Sequence, residues 1–83
     1  MRLAESLVPW IAREYGLTKR EEALLSLLEK GASNKEIAEQ ECISVNTVKT
    51  HISNIYAKLG VSSRDELAQK LRKELSGRKR AGL

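Results

Sequence analysis

Apolar residues recur along this chain at intervals of three and four, the spacing of helices that each bury one face. The clearest case is residues 44–60, SVNTVKTHISNIYAKLG. At about 100° per residue, Val48, Ile52, Ile55 and Leu59 fall on one narrow stripe. Asn46, Lys49, Thr50, Ser53 and Asn54 lie around the back, all short or basic hydrogen-bonding side chains. Further upstream, Leu24, Leu25, Leu27 and Leu28 mark a second helix, and Ile37 and Ala38 the inward side of a short third. Downstream, Leu67, Ala68, Leu71 and Leu75 line one side of another. Leu3, Leu7 and Ile11 are spaced four apart, but Pro9 lacks an N–H, so a helix is expected to begin near it. No strand-like alternation occurs. The pattern predicts an all-α fold, four helices preceded by a short N-terminal one.

Capping signals place the boundaries. Thr18-Lys19-Arg20-Glu21, Ser33-Asn34-Lys35-Glu36 and Ser63-Arg64-Asp65-Glu66 each read as a capping box, in which hydroxyl and carboxylate satisfy helix-end amides reciprocally. Ser44 caps the central helix, and Gly16, Gly31 and Gly60 end the helices before them. Ile43 is expected as a buried turn residue. The resulting division is 1–16 as an N-terminal helix or linker, 17–75 as the domain, and 76–83 (SGRKRAGL) as a basic disordered tail.

Charge sharpens the picture of the central helix. The 83 residues carry a net charge of +4, but residues 1–41 hold six Lys/Arg against eight Asp/Glu, and residues 42–83 nine against three. No carboxylate occurs from Cys42 to Arg64. A helix with an apolar stripe behind and an acid-free polar front can face a polyanion without repulsion, as a DNA recognition helix must. The helices over 34–40 and 45–59, joined by a short turn, match a helix-turn-helix unit in length. Its second helix enters the major groove and offers side chains to base edges.

Other chemistry is sparse. One Cys and one His cannot form a disulfide or a zinc site. Cys42 is read as a small buried or half-buried apolar residue, His51 as a half-buried spacer, and Trp10 and Tyr56 as packing residues. No nucleophile, base and carboxylate pattern supports catalysis, so neither an enzyme nor a cofactor is expected. No apolar run approaches the ~20 residues of a membrane span. The expected setting is the cytoplasm, with membrane anchoring of a longer parent protein left open.

Residues 17–71 resemble the LuxR-type (GerE-like) DNA-binding domain. The likeness rests on Leu17-Thr18 followed by Arg20-Glu21, then Gly31, then Ser33-Asn34-Lys35-Glu36-Ile37-Ala38. Thr47-Val48-Lys49-Thr50-His51 and Lys58-Leu59-Gly60-Val61 complete it. The resemblance implies an all-α, four-helix LuxR/GerE-type helix-turn-helix domain, here with a short extra N-terminal helix. Its function is then to bind double-stranded DNA as the effector domain of a bacterial transcription regulator. Such domains usually follow a sensor or receiver domain, so an N-terminal domain of that kind is expected to be missing here. The resemblance places Lys49, Thr50 and Ser53 toward base edges, with Asn46 on the same front. It places Thr47, Asn54 and Lys35 on phosphates, a set to which Lys58 and Arg64 are added. RNA polymerase is a second candidate partner.

Most of the last helix's stripe must close the domain's own core, which leaves Ala68, Arg72 and Leu75 as the edge for a second copy. That edge suits a weak homodimer formed on DNA. Two residues depart from the family pattern: Ala23 stands where glutamate is usual and Glu41 where leucine is usual. A buried unpaired carboxylate costs several kcal/mol, so Glu41 is expected to turn to solvent while Cys42 or Ile43 fills the space. Two other readings remain beside this one. One is a sigma-factor region-4-like module; the other is a helical interaction module docking to an acidic partner. The TVKTH and KLGV runs and the capped helix after Gly60 favour the LuxR type.

Overall fold

Pro9 sits in the first turn of α1 (Val8–Tyr15), where its missing N–H leaves no hydrogen bond unmade. The computed structural model describes the backbone of residues 7–81 and the side chains through Glu74. After α1 come α2 (Lys19–Glu29), α3 (Asn34–Glu41), α4 (Val45–Leu59) and α5 (Arg64–Ala81). No strand occurs among the described residues.

Two of the three capping boxes form as the sequence implies. Thr18 Oγ1 accepts from the Glu21 N–H at 3.1 Å, and Glu21 Oε1 accepts from the Thr18 N–H at 2.9 Å. Ser33 and Glu36 repeat this at 3.1 and 2.8 Å. The third is shifted by one residue. Ser63 Oγ accepts from the Glu66 N–H at 3.1 Å, but the Glu66 carboxylate turns to Ser62. There it accepts from the backbone N–H at 2.7 Å and the hydroxyl at 3.0 Å. Two donors on Ser62 converge on one oxygen, against the single N–H that Ser63 offers.

The core gathers α1, α2, α3 and α4, with Leu67 of α5 closing one side. Val8, Ile11, Leu24, Leu25, Ile37, Val48 and Ile55 are fully buried. Each such side chain stabilises the fold by roughly 1.5–3 kcal/mol relative to exposure. α4 packs against α3 and α2, and α2 against α1. Thus α1 shares the common core. A ring contact and a hydrogen bond tie its end to α5: Lys70 Nζ lies 5.0 Å from the Tyr15 ring centre, and the Tyr15 hydroxyl donates to Glu74 at 2.9 Å.

Three expectations are corrected by the structure. Cys42 is exposed, because it ends α3 in the left-handed conformation (φ 59°, ψ 43°). That turn swings its side chain outward and brings half-buried Ile43 onto the core, with the Ile43 N–H donating to the Ala38 carbonyl at 3.0 Å. Glu41 is half-buried, and its Oε1 pairs with the Arg20 guanidinium at 3.0 Å. A partner across the α2–α3 junction supplies what solvent was expected to supply. The segment from Ser76, expected as a disordered tail, continues α5 to Ala81. Arg and Lys propagate a helix already nucleated, and Gly77 alone costs it only about 1 kcal/mol. Residues 82–83 of that segment, and Leu3 in the N-terminal spacing, lie outside the described residues.

Candidate nucleic-acid interface

The central helix is held at both ends by local chemistry. Ser44 Oγ accepts from the Thr47 N–H at 3.1 Å and shares a hydrogen bond with the Thr47 hydroxyl at 2.9 Å. Gly60 closes the helix at φ 73°, a conformation that favours glycine. Between these ends the apolar stripe is buried throughout, at 0% exposure for Val48 and Ile55 and 8% or less for Ile52 and Leu59. His51 and Tyr56 are half-buried beside it.

The opposite side of α4 is open. Asn46, Lys49, Thr50 and Ser53 are all exposed. Their spacing of three and four brings successive Cβ atoms within about 5–6 Å of one another on one helix surface. Thr47 and Asn54 are exposed on the adjoining flank, and Lys35 is exposed in the first turn of α3. The first turn of α4 carries no acidic residue, so nothing offsets the positive pole of the helix there. Among the described residues, no carboxylate forms an ion pair with Lys49 or Lys35. The Thr50 hydroxyl donates to the Asn46 carbonyl at 3.2 Å, which leaves its oxygen lone pairs and its methyl group facing outward.

Two residues expected on phosphates are engaged elsewhere. Lys58 Nζ lies 2.7 Å from Glu21 Oε1 and 3.2 Å from the Gly16 carbonyl oxygen. Arg64 donates to the carbonyls of Leu28 at 3.2 Å and Ala32 at 2.7 Å, satisfying the C-terminal end of α2. In the sequence Glu21 is legible only as a capping residue. Nothing in the spacing of residues 37 apart signals that Lys58 is its partner.

On the far side, Ala68 and Arg72 are exposed on α5. They line a groove of about 290 Å³ whose apolar wall is Leu7, Leu28, Leu67 and Leu71. The Leu75 side chain, the third member of the expected edge, lies outside the described residues. Among the described residues, no group of His, Cys, Asp and Glu is arranged to hold a metal ion. None of the described helices is long and apolar enough to cross a membrane.

Comparison with known proteins gives this geometry a context. The family described as bacterial regulatory proteins, luxR family, matches residues 15–71. The chain is similar to the HTH-type transcriptional regulator MalT of Yersinia pestis (strain Pestoides F), with 41% identity over 73 residues. That alignment covers 88% of this chain and 8% of the relative. It is also similar to the regulator of the same name from Serratia proteamaculans (strain 568), 43% identical over 67 residues, covering 81% of this chain and 7% of the relative. The chain thus spans under a tenth of the length of these relatives. No solved structure matches it.

Proposed function

The chain belongs to the LuxR family of bacterial regulatory proteins, and from that premise we propose that it binds specific double-stranded DNA sequences with α4 in the major groove. The observation that carries this reading is the two-sidedness of α4. Its buried stripe fixes the helix rigidly on α2 and α3, and its acid-free exposed front stands clear of the body. Lys49, Thr50, Ser53 and Asn46 read base edges: the lysine suits guanine O6 and N7, the asparagine adenine, and the hydroxyls either. Thr47, Asn54 and Lys35 hold phosphates and set the register of α4 in the groove. Lys58 and Arg64 act from within, the first fixing α4 to α2 and the second fixing α5 to the end of α2.

Membership of this family separates the chain from sigma-factor region 4. An interaction module for acidic proteins would have no use for the short hydroxyl and amide side chains of the front. Two copies pair on adjacent half-sites through the α5 edge formed by Ala68 and Arg72. The chain acts in the cytoplasm, where bacterial DNA lies, as the effector part of a longer regulator that carries a sensor or receiver domain and contacts RNA polymerase. The named relatives are transcriptional regulators far longer than this chain, which supports that reading. Selection of the protein's targets from a random-sequence duplex pool tests it. Enrichment of a repeated or palindromic half-site is the expected result; a pool that stays random after several rounds would overturn sequence-specific binding.

A further inference from the structure

One side chain of α4 does not fit the division into a buried stripe and a polar front. Among the described residues, Val45 is the large hydrophobic side chain that stays exposed, at 37%. It occupies the first helical position, directly after the Ser44 cap. Its neighbour four residues on is Lys49, on the same surface of the helix. A β-branched residue contributes little to helix formation, and Val45 is not one of the residues gathered in the core. Its helical neighbours are the exposed Lys49 and the buried Val48, so it stands where the apolar stripe meets the polar front. The major-groove edge of DNA carries one apolar group, the C5-methyl of thymine; every other distinguishing feature is a donor or an acceptor. An apolar side chain at the leading end of a helix with a polar front has its complement there.

The geometry points to Val45 as a specificity-determining residue that packs on a thymine methyl group within about two base pairs of the position read by Lys49. This rests on the DNA-binding reading above. It adds an apolar contact to a front read mainly by hydrogen bonds, so the target half-site holds a thymine whose methyl matters apart from its hydrogen-bonding atoms.

The test uses the full chain and the half-site enriched from the random pool. Each thymine is replaced in turn by deoxyuridine, which removes the methyl group alone, and binding is followed by fluorescence anisotropy. One replacement should weaken the wild-type complex about fourfold, the value of one buried methyl group. The same replacement should have no effect on Val45→Ser, and its effect should return in Val45→Ile. Circular dichroism of both variants checks that the helices persist. Indifference of the wild-type protein to every replacement, or an equal loss in Val45→Ser, would overturn the assignment while leaving DNA binding intact. A pool with no enriched sequence would instead remove the DNA-reading premise, and this contact with it.

Discussion

Lys58 on α4 and Glu21 on α2 form an ion pair at 2.7 Å that ties the candidate recognition helix to the scaffold behind it. Glu21 is 4% exposed, so its charge has left water and needs partners. Burial pushes its pKa up. The Lys58 hydrogen bond and charge, with the Thr18 amide and hydroxyl, outweigh burial and hold it below the ordinary glutamate value. The Gly16 carbonyl oxygen, 3.2 Å from the same amine, draws the end of α1 into this junction.

Removing the amine while leaving the carboxylate buried is therefore expected to destabilise the domain. Lys58→Met should cost ~2 kcal/mol in urea unfolding at neutral pH, less than for a fully enclosed pair because the lysine side chain is itself 36% exposed. The pH dependence follows from the sign of the shift. The folded pKa lies below 4.5, so this contribution is fully present above that value and disappears as pH falls through the lowered folded pKa. Glu66 is likewise held below the ordinary glutamate value by its bonds to Ser62. The diagnostic quantity is thus a difference: Glu21→Gln should flatten the acid limb of the stability curve relative to wild type. Equal slopes in the two proteins would show that the pair does not drive acid unfolding.

Cys42 holds a left-handed backbone conformation that costs a residue with a Cβ roughly 1–2 kcal/mol. Glycine adopts it freely but loses more chain entropy on folding. Cys42→Gly is expected to raise stability by up to ~1 kcal/mol, and Cys42→Val to lower it by a similar amount. Thermal melts of the two variants check this. Because the thiol is exposed, it should also react with a disulfide reagent in the native state, without prior unfolding.

Lys49 and Thr50 should contribute to DNA binding in different ways. Lys49→Ala should weaken binding by ~1–3 kcal/mol and reduce the salt slope by about one unit. The Thr50 hydroxyl donates its hydrogen bond to the Asn46 carbonyl, so it can meet a base only through its oxygen or its methyl group. Thr50→Ala should relax preference at one base position and leave the salt slope unchanged. Titrations on matched and mismatched sites at two salt concentrations distinguish the two; identical losses on every sequence would end a base-reading role for Thr50.

Leucine at position 41 would exchange an ion pair for apolar burial. The pair with Arg20 is partly exposed and worth ~0.2–1 kcal/mol. Glu41→Leu is accordingly expected to change stability by under ~1 kcal/mol, and a double-mutant cycle with Arg20→Ala should give a coupling energy in the same range. A large stabilisation would show that an unfilled apolar pocket lies beneath Glu41.

Assembly should depend on DNA. Ala68 and Arg72 offer an edge well below the ~1,200 Å² of total burial typical of stable interfaces. The free protein is expected to sediment as a monomer at micromolar concentration and to bind cooperatively to half-sites about one helical turn, ~10 bp, apart. Ala68→Glu should abolish that cooperativity and leave affinity for a single half-site unchanged. A tight dimer without DNA, or indifference to spacing, would show that α5 does not pair copies in this way.

The sequence alone determined the five helices up to the last turns of α5, and which face of each turns inward. Thr18 with Glu21, Ser33 with Glu36, and Val48 with Ile52, Ile55 and Leu59 are relations among residues three and four apart. Helical geometry settles such relations before any other element is placed. The polar front of α4 was legible for the same reason, as the complement of its stripe. Tertiary structure decided the rest. Tyr15 meets Glu74 across 59 residues, Lys58 meets Glu21 across 37, and Arg64 reaches Ala32 across 32. Long charged side chains have many rotamers and equal chemical claim on a phosphate, a carboxylate or a carbonyl. Which of these lies within reach is set only by how the helices pack, and packing gives Lys58 and Arg64, expected on phosphates, partners inside the domain. The outward turn of Cys42 and the one-residue shift of the Glu66 bond to Ser62 are details of helix ends that the residue pattern left open.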